Sequence, residues 1–147
     1  MSSRILDITA GVVADLGRTL WSQTIQAQRM YVPRHELKDL ATTTVTVVPK
    51  ALQSELLDRA TFQTDYLVDV TVQKHLDTVD DAQVDAMMGL VQEIVDHWRM
   101  RALKFGAADA VCVAVANDPV YSVEHLSTMQ VFTSVLTMTF RLFERGA

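Results

Sequence analysis

The stretch QVFTSVLTMTFRLF, residues 130–143, decides the fold of this 147-residue chain. Apolar side chains alternate along it with mostly polar ones, which predicts a β-strand with one buried face. One side carries Phe132, Ser134, Leu136, Met138, Phe140 and Leu142, and the other carries Val131, Thr133, Val135, Thr137, Thr139 and Arg141. At about 3.3 Å per residue this strand would extend roughly 45 Å, against about 20 Å for an ordinary strand. The fold must therefore cover or expose an unusually long strand.

Two more β runs precede it. TTTVTVV, residues 42–48, is rich in β-branched residues and ends at Pro49, and FQTDYLVDVTVQK, residues 62–74, alternates like the final strand. The simplest arrangement pairs these two runs antiparallel. The intervening KALQSELLDRAT, residues 50–61, has leucines at 52, 56 and 57 and fits either a short helix or a partly ordered loop. Shorter segments are expected as a strand in TIQAQRMYV, a turn or two of helix in RHELKDL, a fully buried strand in DAVCVAVA and a half-extended connection in VYSVEHL.

Two segments carry helical spacing. ILDITAGVVADLGRTL places Ile5, Ile8, Val12, Leu16 and Leu20 on one stripe. TVDDAQVDAMMGLVQEIVDHW has a broad apolar face and opens with Asp80 and Gln83, spaced as a capping box. The order helix, strands, helix, strands predicts one α+β domain over residues 1–147, with a mainly antiparallel sheet and two principal helices packed on one face.

Helices of this length cannot cover the whole sheet. They would extend about 26 and 28 Å, whereas the long strands exceed about 40 Å. Some of the sheet should therefore be bare, either as a solvated hairpin arm or as a contact with another subunit. The residues predicted for a subunit interface are those on the outward side of the final strand: Val131, Thr133, Val135, Thr137 and Arg141.

Composition excludes several classes of function. The formal net charge is −5 and the 13 Lys and Arg residues are scattered, which disfavours direct reading of nucleic acid. No apolar run reaches the length of about 18 residues that spans a bilayer, and Asp7 interrupts the segment where an export signal would need apolar residues. We therefore expect a protein that is made and kept in the cytosol and has no membrane partner.

The sequence predicts no catalytic, cofactor or metal site. Glu93 and His97 have the spacing of helical metal ligands, but exposed helix faces carry such pairs routinely. The acidic residues Asp80, Asp81 and Asp85 suit a helix start. Cys112, the single cysteine, lies in an apolar run and is expected to be a small core residue. No glycine-rich phosphate loop is present, so we expect a protein that is not an enzyme.

The ordered blocks of the chain resemble a family of small virion proteins. The DITAGVVADL helix is followed by YVPRHELKDLATTTVTVVPK, FQTDYLVDVTVQK, MMGLVQEIVDHW and VYSVEHLSTMQVFTSVLTMTFRL. This succession, which covers nearly the whole chain, is similar to the tail terminators and related neck or minor tail-tube proteins of tailed phages. No single block is a chemical signature.

The resemblance implies a small α+β sandwich that assembles into a ring, typically a hexamer. Such a ring caps the tail tube and joins it to a head-completion or connector protein, and DNA passes through its channel without sequence-specific binding. The resemblance thus implies a virion protein that resides in the host cytoplasm during assembly. Terminator, another head–tail connector, tail-completion or minor tail-tube ring proteins all fit it. A different class, a cytosolic adaptor that adds its strands to a partner's sheet, also remains open.

Overall fold

The computed structural model describes residues 3–105 and 108–145 of the chain. The helices are α1 (Arg4–Arg18), α2 (Asp81–Trp98) and α3 (Val123–Met129), with a short 3-10 helix at Leu37–Ala41. The strands are β1 (Ile25–Arg29), β2 (Thr43–Leu56), β3 (Thr61–His75), β4 (Ala102–Phe105), β5 (Ala108–Asn117) and β6 (Val131–Arg145). The predicted α+β class is therefore confirmed.

The strands form one sheet in the order β1-β2-β3-β6-β5-β4. All neighbouring pairs are antiparallel except β1 and β2, which run parallel, so the sheet is mixed but mainly antiparallel. The longest pairing joins β3 and β6, from Thr61 opposite Arg145 to His75 opposite Val131. The long final strand predicted from QVFTSVLTMTFRLF is thus present at the middle of the sheet.

The side of β6 that was predicted to face the core does so. Its side chains Phe132, Leu136, Met138 and Phe140 are fully buried. They belong to one cluster of buried residues that also includes Ile8, Val12 and Leu16 of α1, Met87, Leu90, Val91, Ile94 and Trp98 of α2, and Val45, Val47, Val68, Val70 and Val72 of the neighbouring strands. Alternate residues of β2, β3 and β6 therefore belong to the same buried cluster as side chains of α1 and α2.

The helix boundaries follow local signals with one exception. Asp80 caps α2, because its Oδ1 accepts a hydrogen bond from the Gln83 backbone N–H at 2.8 Å. The expectation that Leu20 belongs to the apolar stripe of α1 is wrong, because the helix ends at Arg18 and Leu20 is almost fully exposed. The Thr19 hydroxyl donates to the Asp15 carbonyl oxygen at 2.7 Å in the last turn, where the chain leaves the helix.

Helix α3 corrects the expected half-extended connection. The Ser122 hydroxyl accepts a hydrogen bond from the His125 backbone N–H at 3.3 Å, which starts the helix in the manner of an N-cap. The helix ends at Met129, and the φ of 56° at the next residue, Gln130, places that residue in the left-handed region. Seven residues carry too little periodicity for a helix to be predicted, so docking on β6 decides the outcome.

Candidate subunit interface

A β-bulge at the base of the β2–β3 hairpin controls which side chains face outward. Pro49 lies opposite Val68 but Ala51 lies opposite Leu67, so Lys50 is an extra residue in β2. A shift of one residue exchanges the two faces of a strand. Beyond the bulge, Leu52, Ser54 and Leu56 consequently lie on the same face as the core residues Val45 and Val47. The Lys50 ammonium group lies 3.6 Å from the Asp69 carboxylate at this bend.

The prediction for residues 50–61 is therefore wrong in both of its forms. The segment is neither a helix nor a loop, because β2 continues to Leu56 and pairs with β3 as far as Phe62. Only Leu57–Ala60 form the turn, where Asp58 Oδ1 accepts hydrogen bonds from the backbone N–H groups of Ala60 and Thr61 at 2.9 Å each. These bonds, that from Ala60 foremost, lower the pKa of Asp58. The hairpin turn is thus locally fixed.

We name the resulting projection the arm: residues 50–56 of β2, 61–65 of β3 and 141–145 of β6. Helix α1 still reaches its base. Arg4 in the first turn of α1 contacts Glu144 at 2.7 Å, and the Tyr66 hydroxyl donates to the same carboxylate at 2.7 Å. Tyr66 and Leu142 are buried, but Leu52, Leu56 and Phe62 are not. The three strands of the arm support each other, which a lone hairpin could not do.

The helix-side face of the arm carries three exposed apolar side chains. Leu52, Leu56 and Phe62 lie opposite one another or in alternate positions on this face, and they are 57%, 61% and 38% exposed. The hydroxyl groups of Ser54 and Thr64, which lie on the same face, form a hydrogen bond of 2.9 Å with each other. The apolar face of the core thus continues beyond the helices, and such a surface is typical of a protein contact.

The opposite face of the arm is mostly polar. Arg141 forms a bidentate pair with Asp65, at 2.9 Å through Nε and 3.1 Å through Nη2. The hydrogen bonds to Asp65 raise the pKa of Arg141. Phe143 is the exposed apolar exception on this side. A fixed, two-faced arm of this kind can pack its apolar side on a partner while its polar side stays hydrated.

The structure places the predicted interface residues of β6 in two different environments. Val131 and Thr133 were expected to face outward but are only 2% and 6% exposed. The reason is α3, which lies against β6 and whose His125 Nδ1 is 2.9 Å from the Thr133 hydroxyl. These two residues are buried within the subunit, which corrects their expected exposure.

The other three predicted residues are half-buried and engaged within the chain. The Thr137 hydroxyl donates to Asp69 at 2.7 Å, and Arg141 holds Asp65. Val135 exchanges backbone hydrogen bonds with the loop at Asp118 and Pro119. The contact of Val135, Thr137 and Arg141 with a neighbouring subunit stays a prediction.

The sequence did not predict the exposed apolar face of the arm, because the alternation of apolar residues in β2 shifts by one residue at Lys50.

Strand β5 is more exposed than its apolar sequence predicted. DAVCVAVA was expected to form a fully buried strand, but Val113 is 39% exposed and Ala114 and Ala116 are also exposed. The short β4 pairs with β5 only as far as Val111, and a bulge between Cys112 and Ala114 bends the strand. Beside this half of β5 lies a recess of about 240 Å³, bordered by Val95 of α2 and by Arg99, which directly follows the helix.

Two of the residues considered for chemistry, Glu93 and His97, bind other groups of the chain. Glu93 accepts hydrogen bonds from the backbone N–H and the hydroxyl of Ser22, while His97 Nε2 lies 2.6 Å from Asp15 Oδ1. The two side chains are thus bound to different partners. Cys112 is a core residue as predicted, and burial raises the pKa of its thiol to about 11. Within residues 3–105 and 108–145, no group of three His, Cys, Asp or Glu side chains could hold a metal ion.

Comparison with known proteins adds no relative. No protein-family profile matches the chain, and no curated protein matches its sequence. Within the described part of the chain, no helix combines the length and the apolarity needed to cross a bilayer. The arm and the exposed half of β5 are therefore the features on which a functional proposal must rest.

Proposed function

We propose that this chain is a structural virion protein, a tail terminator whose copies form a closed ring that caps the tail tube of a phage. The observation that carries the proposal is the arm, with its apolar face exposed beyond the helices. In the proposed subunit α1 and α2 together cover one face of the sheet and leave the arm uncovered. An arm of this form joins subunits and needs no catalytic group.

The ring would meet different partners on its two sides. A tail-tube protein would bind one side and a head-completion or connector protein the other, as the resemblance of the sequence blocks to phage tail proteins implies. DNA would pass through the channel without specific binding. The net charge of −5 fits this role, since phosphate contacts by Lys or Arg would add affinity and so retard sliding.

Two other functions share part of this support. Another head–tail connector, tail-completion or minor tail-tube ring would use the arm in the same way and differ only in its neighbours. A cytosolic adaptor would instead use the arm to add strands to the sheet of one partner protein. A closed homomeric ring favours a virion protein, whereas a monomer that binds one copy of a partner favours the adaptor.

Replacement of Leu56 by Asp is expected to abolish the ring without unfolding the subunit. The side chain is 61% exposed in the single chain, so a charge there stays hydrated in the monomer. In an assembly the same charge would be buried without a partner, which costs several kcal/mol per contact. Size-exclusion chromatography with light scattering measures the assembly, and circular dichroism measures the fold.

The matched control is Val123→Asp on α3, a residue of similar exposure that lies away from the arm. This variant should assemble like the wild type. Rings of full mass in Leu56→Asp would show that the arm face is simply solvated and would remove the main support for the proposal.

A further inference from the structure

The arm has a free strand edge as well as an apolar face. Strand β1 pairs with β2 only up to Val47, opposite Arg29, and Met30 adds one backbone bond to Val47 at 3.1 Å. Beyond this point the outer edge of β2, residues 50–56, has no strand beside it within the described residues. Between the charged residues Lys50 and Glu55, the stretch Ala51–Ser54 contains neither charge nor proline. Such an edge is a template for pairing with another strand.

A second free edge lies on the other side of the sheet. Backbone bonds join Cys112 to Met100 and Arg101, but no described strand borders Val113–Ala116 on the side away from β6. This edge is Val-Ala-Val-Ala and lacks the lysine, proline or inward charge that usually protects exposed edges. An unprotected apolar edge is a hazard for a free chain.

The apolar side chains at the two edges point to the same side of the sheet. On the arm, Leu52 and Leu56 point to the helix side of the sheet. On β5, Cys112 and Val115 lie opposite Phe140 and Met138 and therefore point to the same side. A strand added to β5 would bring its helix-side leucines against the recess beside Val95 and Met100.

The exposed area is consistent with a second copy as the occupant. A compact 16.4 kDa monomer exposes about 7,500 Å². This chain exposes 8477 Å², so the excess is on the order of 1,000 Å². A stable interface covers about 800 Å² per partner. The chain thus presents a donor edge, an acceptor edge and enough area for contact with another copy of itself.

We propose that the arm of one copy adds to the sheet of the next, with the outer edge of β2 paired to the free edge of β5 and Leu52 and Leu56 packed in the recess beside α2. This inference rests on the ring proposed above and names the two surfaces that join its subunits. The surfaces lie on different parts of the chain, so the contact is head-to-tail, and repetition of such a contact closes a ring when the rotation permits.

Engineered disulfides test the pairing directly. In a Cys112→Ser background, Gln53→Cys combined with Ala114→Cys or with Ala116→Cys should give disulfide-linked multimers on mild oxidation. Gln53→Cys combined with Gln92→Cys, an exposed position on α2, is the matched control and should stay largely unlinked. Equal linkage in all three variants, or none in the two test variants, would overturn the pairing.

Two blocked variants test the head-to-tail arrangement. Leu56→Asp removes the donor surface and Val113→Asp the acceptor surface, and each alone should lose the ring. Their mixture keeps one intact donor and one intact acceptor, so it should form one-to-one dimers and nothing larger. Mixtures that restore the ring, or that remain monomeric, would contradict the arrangement.

The outcomes separate this inference from the proposed function. If Val113→Asp still forms rings of wild-type mass and the disulfides fail, β5 is not the acceptor although the ring function stands. If the wild type is monomeric but the test cysteines link specifically, the pairing stands and the ring function fails. A monomeric wild type without specific linkage overturns both.

Discussion

Trp98→Ala is expected to lower the free energy of unfolding by about 3 to 5 kcal/mol. Trp98 is fully buried in the last turn of α2, and its ring meets that of Phe140 edge-on at a centroid distance of 5.6 Å. The contact fixes the end of α2 against the central strand β6. Removing the indole leaves a large cavity that the surrounding core cannot fill by small shifts. Urea denaturation followed by circular dichroism measures the loss.

Two control variants separate the cavity from other causes. The Trp98 indole N–H has no hydrogen-bond partner among the described residues, so Trp98→Phe loses no hydrogen bond and should cost less than the alanine variant. Phe143→Ala, on the polar face of the arm, changes an exposed side chain and should cost less than about 1 kcal/mol. Equal losses in all three variants would contradict the packing of α2 on β6.

Asp15→Ala is expected to cost a similar amount, about 3 to 5 kcal/mol, because it removes a buried acceptor shared by His97 and Arg101 and leaves the half-buried Arg101 guanidinium without its carboxylate partner. The Asp15 carboxylate is almost fully buried and lies 2.6 Å from His97 Nε2 and 2.9 Å from Arg101 Nε. It thus joins α1 to the end of α2. Arg18→Ala removes the exposed third partner, 3.1 Å away, and should cost less than about 1 kcal/mol. Similar losses in both variants would remove the buried carboxylate as the cause.

The same carboxylate should give the fold an acid limit. Burial alone raises the pKa of Asp15, but the hydrogen bonds from His97 and Arg101 outweigh it and hold the pKa below its ordinary value of 3.8. Because the folded pKa lies below the unfolded one, this contribution is complete above the unfolded pKa and is lost as the pH falls through the folded pKa. Denaturation midpoints should therefore fall more steeply below about pH 4 in the wild type than in Asp15→Ala.

The buried side of the long strand was predictable because successive side chains of a regular strand point to opposite faces of the sheet. Phe132, Leu136, Met138 and Phe140 alternate regularly, and all four are buried. The exposed side was only partly predictable, since Thr133 is covered by α3, a helix of seven residues whose formation the sequence did not indicate. The alternation of residues in β6 alone could not show that a helix lies against this part of the strand.

The arm could not be predicted because a bulge interrupts its period. With Lys50 inserted, the leucines at positions 52 and 56 change phase relative to Val45 and Val47, so no single pattern spans β2. The exposed half of β5 was missed for another reason. An apolar run such as AVCVAVA predicts burial, but whether a neighbouring strand covers it depends on how far β4 extends.

The mass of the wild-type assembly tests the proposed ring most directly. Light scattering coupled to size-exclusion chromatography, with electron micrographs of the same fractions, should show a closed ring that is lost in Leu56→Asp. A hexamer of the 16.4 kDa chain would have a mass of roughly 100 kDa. A wild-type protein that remains monomeric at every concentration, or that forms open filaments, would contradict the proposal of a closed ring of subunits joined through the arm.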